Sequence, residues 1–129
     1  MSTDKDSDGI HHELSRDIIG AAMRVLNVLK PGLDEKLYEN ALVIELRKRG
    51  HLVEQQKSFP VYYEGQLIGR LVPDLIVDGK VIVDPKVAES FNATLMAQMT
   101  GYLAVTGINL ALLLNFKEAE LKMKRVVRD

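Results

Sequence analysis

Cysteine is absent from the 129 residues. That excludes disulfides and thiolate metal sites and leaves the redox compartment open. No apolar run approaches the ~20 residues that a membrane-spanning helix needs, and no leader pattern opens the chain. A cytoplasmic location and no membrane partner are therefore expected. An excess of charge of one sign is lacking too. The formal net charge is −1, of which residues 1–13 contribute −3 (Asp4, Asp6, Asp8 and Glu13 against Lys5), leaving +2 for the rest. This balance gives no broad electrostatic footprint, so any nucleic-acid contact has to come from a local patch.

What is present is an apolar fraction of 47%, ordinary for a globular chain and enough for one core. Residues 1–12 are small, polar and acidic without periodicity, which predicts a disordered tail ahead of a single domain over 13–129. His11 and His12 at its end read as solvated residues rather than metal ligands. From residue 14 to 29 the spacing is helical, with Ser15 as the expected N-cap and Ile18, Ile19, Ala22, Val25, Leu26 and Leu29 on one side. Pro31-Gly32 stops that helix. A second helix is expected over 33–49 with Leu37, Ala41 and Ile44 as its core stripe, and Arg47, Lys48 and Arg49 in its last turn complement the helix dipole.

Strands are predicted over 52–56, 59–63 and 66–70, the last two joined at Glu64-Gly65. A third helix spans 92–106 and ends at Gly107. The near-continuous apolar run at 109–116 predicts a strand covered on both faces, and 122–127 forms a short basic segment. The order of elements argues one α/β sandwich.

The stretch 72–86, VPDLIVDGKVIVDPK, sets charge where a core would prefer none. Two β-branched runs flank the turn signal Asp78-Gly79, and Asp74, Asp84 and Lys86 are embedded in them. Asp84 and Lys86 are two apart and so emerge on one face, roughly 7 Å from each other. Buried carboxylates are costly unless they hold a cation or pair with an ammonium. Loop parity decides whether Asp74 joins them. A two-residue loop would pair Val77 with Lys80 and put Asp74 and Asp84 on opposite faces. A shared metal therefore requires an odd-length loop or a bulge, with Gly79 at positive φ as the natural place for it. A second candidate lies upstream: Glu35 and Tyr38, at i and i+3, share a helix face with Leu42. A first-turn acid favoured by the helix N-terminus is the simpler account of Glu35.

Gly32, Glu35 and Tyr38 spell GxxExxY, and Pro73-Asp74, nine residues, then Asp84-x-Lys86 fits the PD-(D/E)xK signature. With ELSxxIIGAA from Glu13, PGLxEKxYE from Pro31, PVYYxG from Pro60 and AQxxxYL from Ala97, the chain resembles the GxxExxY protein family of the PD-(D/E)xK nuclease superfamily from about Glu13 to Val127. The resemblance implies a restriction-endonuclease-like α/β fold: an αβββαβ core with a mixed central sheet and an extra N-terminal helix. It implies Asp74 and Asp84 as metal carboxylates, with the Pro85 carbonyl and Glu35 as further ligands. Lys86 is the implied lysine of the tripeptide, and Gln98 with Tyr102 the implied QxxxY pair. It also implies Mg²⁺ or Mn²⁺ as cofactor and DNA or RNA as substrate.

The residue types suit that chemistry. Carboxylate oxygens select hard divalent cations, and phosphodiester cleavage needs an activated water and stabilised phosphoryl charge. Three positions depart from the family pattern: Pro85, expected to break the strand locally, Asp84 in place of the commoner Glu, and Leu95 in place of His. These departures keep open a non-catalytic nucleic-acid-binding or regulatory module on the same fold. Lys57, Arg70 and Lys117 are candidate phosphate-steering residues, and the apolar helices are compatible with a homodimer.

Overall fold

The helical spacing near the start becomes helix α1 (His12–Leu29) in a computed structural model that describes residues 9–128. The expected tail falls largely on residues 1–8, outside the described residues, but His12 opens the helix instead of belonging to the tail. His11, at φ 54°, occupies the cap position without a side-chain cap bond. Ser15 is not the N-cap: it lies inside the helix, buried, and its hydroxyl accepts from Arg125 Nη1 at 3.1 Å. A partner 110 residues away thus reassigns a residue whose local preference is for capping.

Helix α2 (Glu35–Lys48) presents a different face to the core from the one its aliphatic residues predict. Leu37 and Ile44 are 48% and 70% exposed, whereas Tyr38, Glu39, Leu42, Val43 and Leu46 are buried. Apolar residues occur on both sides of this helix, and tertiary contact chooses between them. Tyr38 stacks on Phe116 with ring centroids 4.8 Å apart and planes 13° from parallel. The basic residues closing α2 make specific bonds: Arg47 donates to the Val53 carbonyl (2.8 Å), and Arg49 pairs with Glu45 and with Asp17 of α1.

The strands are β1 (Val53–Gln55), β2 (Phe59–Tyr63), β3 (Gln66–Leu71), β4 (Leu75–Val77), β5 (Val81–Lys86), β6 (Leu110–Asn115) and β7 (Lys122–Val127), with helix α3 (Ala93–Thr106) between β5 and β6. Five of them form a mixed sheet in the order β1-β4-β5-β6-β7, in which only β5 and β6 run parallel. The parallel pair requires a crossover connection, and α3 supplies it. Asn92 Oδ1 caps α3 by accepting from Leu95 N (2.9 Å), and Gly107 at φ 77° ends it. Strands β2 and β3 stand apart as a two-stranded hairpin.

Alternation along the strands divides the core in two. Leu75, Val77, Val81, Val83, Leu110, Leu112 and Leu114 face α1 and α2. Ile76, Ile82, Ala111 and Leu113 face α3 through Met99 and Leu103. Both faces are covered, which is why β5 and β6 read as apolar runs. The result is the expected α/β sandwich with a mixed central sheet. Among the described residues no helix is long and apolar enough to cross a membrane.

Pro85 does not break its strand: β5 continues through Lys86, with Pro85 opposite Leu114. The Phe116 amide donates to the Lys86 carbonyl at 2.8 Å. Bonding alternates along a strand, so the Pro85 nitrogen faces the other side, towards β4. There β4 pairs only as far as Leu75↔Val83, and no ladder hydrogen bond is lost.

Candidate active site

The turn between β4 and β5 settles the parity question. Val77 pairs with Val81, so the loop holds three residues, Asp78, Gly79 and Lys80. Asp78 and Gly79 both take positive φ, 54° and 66°. Their order is fixed by contacts as well as by conformation: the Asp78 carboxylate accepts from the Leu52 amide at 2.8 Å. The register Leu75↔Val83, continued by one residue, sets Asp74 opposite Asp84. The two side chains face each other closely enough for the Asp74 carboxyl to raise the pKa of Asp84, on the sheet face that carries α3.

Asp84 is 3% exposed. Burial, reinforced by the neighbouring Asp74 carboxyl, pushes its pKa up to about 8, against a smaller opposing pull from Lys86. Lys86, two residues on and therefore on the same face, brings Nζ within 3.3 Å of Asp84 Oδ1 and 4.0 Å of Glu35 Oε2. Burial alone would lower the lysine pKa. The surrounding Asp84, Glu35 and Asp74 charges outweigh it and raise the pKa above its usual value.

Glu35 reaches this centre from the opposite layer. It lies in the first turn of α2, and its Oε1 accepts from the Val87 amide at 3.0 Å just beyond β5. The rest of the GxxExxY triplet serves that placement. Gly32 adopts φ 112°, a conformation that side chains rarely take. Tyr38, fully buried, donates its hydroxyl to the Lys30 carbonyl (2.5 Å) and accepts from the Leu33 amide (3.2 Å). Tyr38 thus clamps the loop that aims α2 at the end of β5.

On α3, Gln98 donates to the Tyr102 hydroxyl at 3.1 Å. Burial, together with the Asp84 and Asp74 charges, raises the Tyr102 pKa, which places this ring within electrostatic reach of the carboxylate pair. The candidate phosphate-steering residues are otherwise engaged: Lys57 with Glu54, Arg70 with Ser58, Lys117 with Glu89.

Two carboxyls in contact at a buried place cannot both stay ionised without a cation or a proton between them. Two hard oxygen donors suit an ion such as Mg²⁺, which is commonly held by one or two carboxylates and completed by water and phosphate. Among the described residues no three acids or histidines are grouped so that they could together hold a metal ion. The fold therefore brings Asp74, Asp84 and Lys86 together and holds Glu35 at Lys86 and Val87, rather than gathering Glu35 into a three-carboxylate cage. Two residues escaped the sequence reading: Glu39, buried on α2, and Gln56, whose amide reaches both Glu39 and Asp74. Nothing local marks either one.

Residues 12–126 match the family model described as the PD-(D/E)XK nuclease superfamily. The chain belongs to this superfamily. PD-(D/E)xK nucleases are in general divalent-metal-dependent, and the hairpin carrying Asp74, Asp84 and Lys86 is the part of this PD-(D/E)xK domain that spells the signature. Among solved structures, LHK-Exo in complex with dAMP shares 15% identity at a TM-score of 0.50, covering 84% of this chain and 76% of that one. The alkaline exonuclease LHK-Exo from Laribacter hongkongensis, at 15% identity and a TM-score of 0.49, aligns over 88% of this chain and 82% of its own. At such identity the first likeness speaks for the fold alone. No curated protein matches the sequence.

Proposed function

We propose that this PD-(D/E)xK protein, of the GxxExxY type, is a divalent-metal-dependent nuclease that hydrolyses phosphodiester bonds in DNA or RNA. The observation that carries the reading is the pair of facing carboxyls, Asp74 opposite Asp84, with the Lys86 ammonium 3.3 Å from Asp84 Oδ1, all on one sheet face. Asp74 and Asp84 would hold Mg²⁺ or Mn²⁺, with the Pro85 carbonyl, directed to the β4 side like its nitrogen, as a further donor. Bound there, the cation would make a water nucleophilic near neutral pH and offset charge on the phosphoryl group. Lys86 donates to the attacking water or to a phosphoryl oxygen and steadies the developing negative charge. Glu35 orients Lys86 and fixes the strand end through Val87. Tyr102 and Gln98 present polar groups from α3 on the same side.

The test is calorimetric Mn²⁺ binding to the wild type and to Asp74→Ala, followed by cleavage assays on single-stranded and duplex DNA and RNA. Saturable binding lost in the variant, with metal-dependent cleavage lost in Lys86→Ala, is the expected result. Metal binding without cleavage of any of these polymers would refute the catalytic reading and favour a non-catalytic nucleic-acid-binding or regulatory module.

A further inference from the structure

Glu39 is a carboxylate buried to 3% exposure on the core face of α2, where an isolated charge would be strongly unfavourable. Its Oε2 collects three donors: Gln55 Nε2 at 2.8 Å, Gln56 Nε2 at 3.0 Å and Lys36 Nζ at 3.1 Å. Gln56 in turn stands at φ 60°, a left-handed conformation that is unfavourable for a residue with a side chain. Its backbone amide donates to the Asp74 carbonyl at 2.9 Å, and its side-chain Nε2 lies 3.3 Å from Asp74 Oδ1. Both acceptors of that Nε2 are carboxylates, so the amide orientation is fixed by chemistry.

Asp74 needs such a hold. It precedes the first residue of β4, directly after Pro73, and lies beyond the last paired positions of the β1–β4 ladder, Gln55↔Leu75. Strand pairing ends where the side chain that matters begins. Gln56 extends the pairing by one backbone bond and grips the carboxylate as well.

We propose that Gln56, oriented by Glu39, is a positioning residue that fixes the Asp74 carboxylate for metal binding opposite Asp84. The inference rests on the reading of Asp74 as a metal ligand. It also gives a role to the charged residue on the buried face of α2. Glu39 touches neither metal nor substrate in this account; it acts through Gln56.

Gln56→Gly gives a clean test, because glycine accepts the left-handed backbone without strain and removes only the amide. Mn²⁺ affinity is measured by calorimetry on the wild type, Gln56→Gly, Gln56→Asn and Asp74→Ala. The thermal midpoint of each is recorded in excess chelator. The expected result is Mn²⁺ affinity weakened about 10- to 100-fold in Gln56→Gly, with its chelated midpoint within about 2 °C of wild type. Gln56→Asn, which tolerates the same backbone but carries a shorter amide, should weaken affinity as well, and it serves as the readout if the glycine variant folds poorly. Unchanged affinity in both variants, with binding still lost in Asp74→Ala, overturns the positioning role and leaves the metal site standing. Absence of Mn²⁺ binding in the wild type overturns the metal reading, and this inference falls with it.

Discussion

His51 lies between two carboxylates contributed by different elements, and its protonation should be visible in the stability of the whole fold. Nδ1 is 2.7 Å from Asp78 Oδ2 in the β4–β5 turn, and Nε2 is 2.5 Å from Asp17 Oδ2 on α1. Arg49 also pairs with Asp17, and Glu45 occupies the other side of that guanidinium. Lys80 adds a weaker positive charge near Asp78. Burial alone would lower the histidine pKa, but the two hydrogen-bonded aspartates reverse this and raise it. Asp17 is lowered first by its bond to His51, and Asp78 is lowered by His51 and the Leu52 amide in spite of burial.

The sign follows from linkage. A histidine with a raised native pKa contributes stability that is fully present below its unfolded value of 6.5 and disappears as pH rises through the native value. The aspartates contribute above their unfolded value of 3.8 and lose their share as pH falls through their native values. The cluster is therefore strongest between about pH 4 and 6.5. Each charge-assisted bond is worth ~1.5–3 kcal/mol when buried. The Asp17 side chain is 39% exposed and Asp78 30% exposed, and screening reduces the total to about 1–2 kcal/mol. For a domain of this size that is roughly 4–8 °C in thermal midpoint. The assay is thermal unfolding of wild type and His51→Gln at pH 5.5, 7 and 9. The deficit of the variant should be largest at pH 5.5 and shrink towards pH 9. A deficit that is constant with pH, or largest at pH 9, would refute the reasoning.

Two further outcomes follow from buried polar groups. Tyr38→Phe keeps the stacking on Phe116 but leaves the Lys30 carbonyl and Leu33 amide without their shared partner, so it should cost about 1–3 kcal/mol in urea unfolding; no loss would mean that water replaces the hydroxyl freely. Asp84→Asn relieves a carboxyl that burial and Asp74 disfavour as an anion, so in chelator at pH 7 it should gain about 1–3 kcal/mol while Mn²⁺ binding is lost. A variant less stable than wild type under chelation would show that the carboxyl is not held against its ionisation preference.

Punctuation was the most legible part of this chain. Asn92 and Gly107 bracket α3, Pro31-Gly32 marks the end of α1, and Asp78-Gly79 marks the turn whose odd length a shared site for Asp74 and Asp84 requires. Each of these signals is local, written in backbone conformation or capping chemistry. The face of α2 was not legible, because Leu37 and Ile44 satisfy helical spacing as well as Leu42 and Leu46 do. What turns the helix is a tyrosine that meets Phe116 and a glutamate that meets Gln55 and Gln56, all distant in sequence. Ser15 failed for the same reason, since Arg125 lies at the other end of the chain. Asp74, Asp84 and Lys86 stood out because charge within an apolar strand is anomalous. Gln56 did not, because a glutamine after a short strand is ordinary until its φ is known.

The three-residue turn at Asp78, Gly79 and Lys80 shows which property of the hairpin the candidate site depends on. At fixed sequence, a slip of one residue in strand pairing would set Asp74 opposite Val83 or Pro85 and send the two acids to opposite faces of the sheet. A deletion inside the turn acts differently: it shortens the loop to two residues while Val77 and Val81 can still pair, and the acids still meet. Surface turns are commonly the places where a lineage gains or loses residues without penalty. Descendants could therefore carry fewer than nine residues between Asp74 and Asp84 and keep the pair. What the candidate site inherits is the register of two strands, more than the count of letters between its acids.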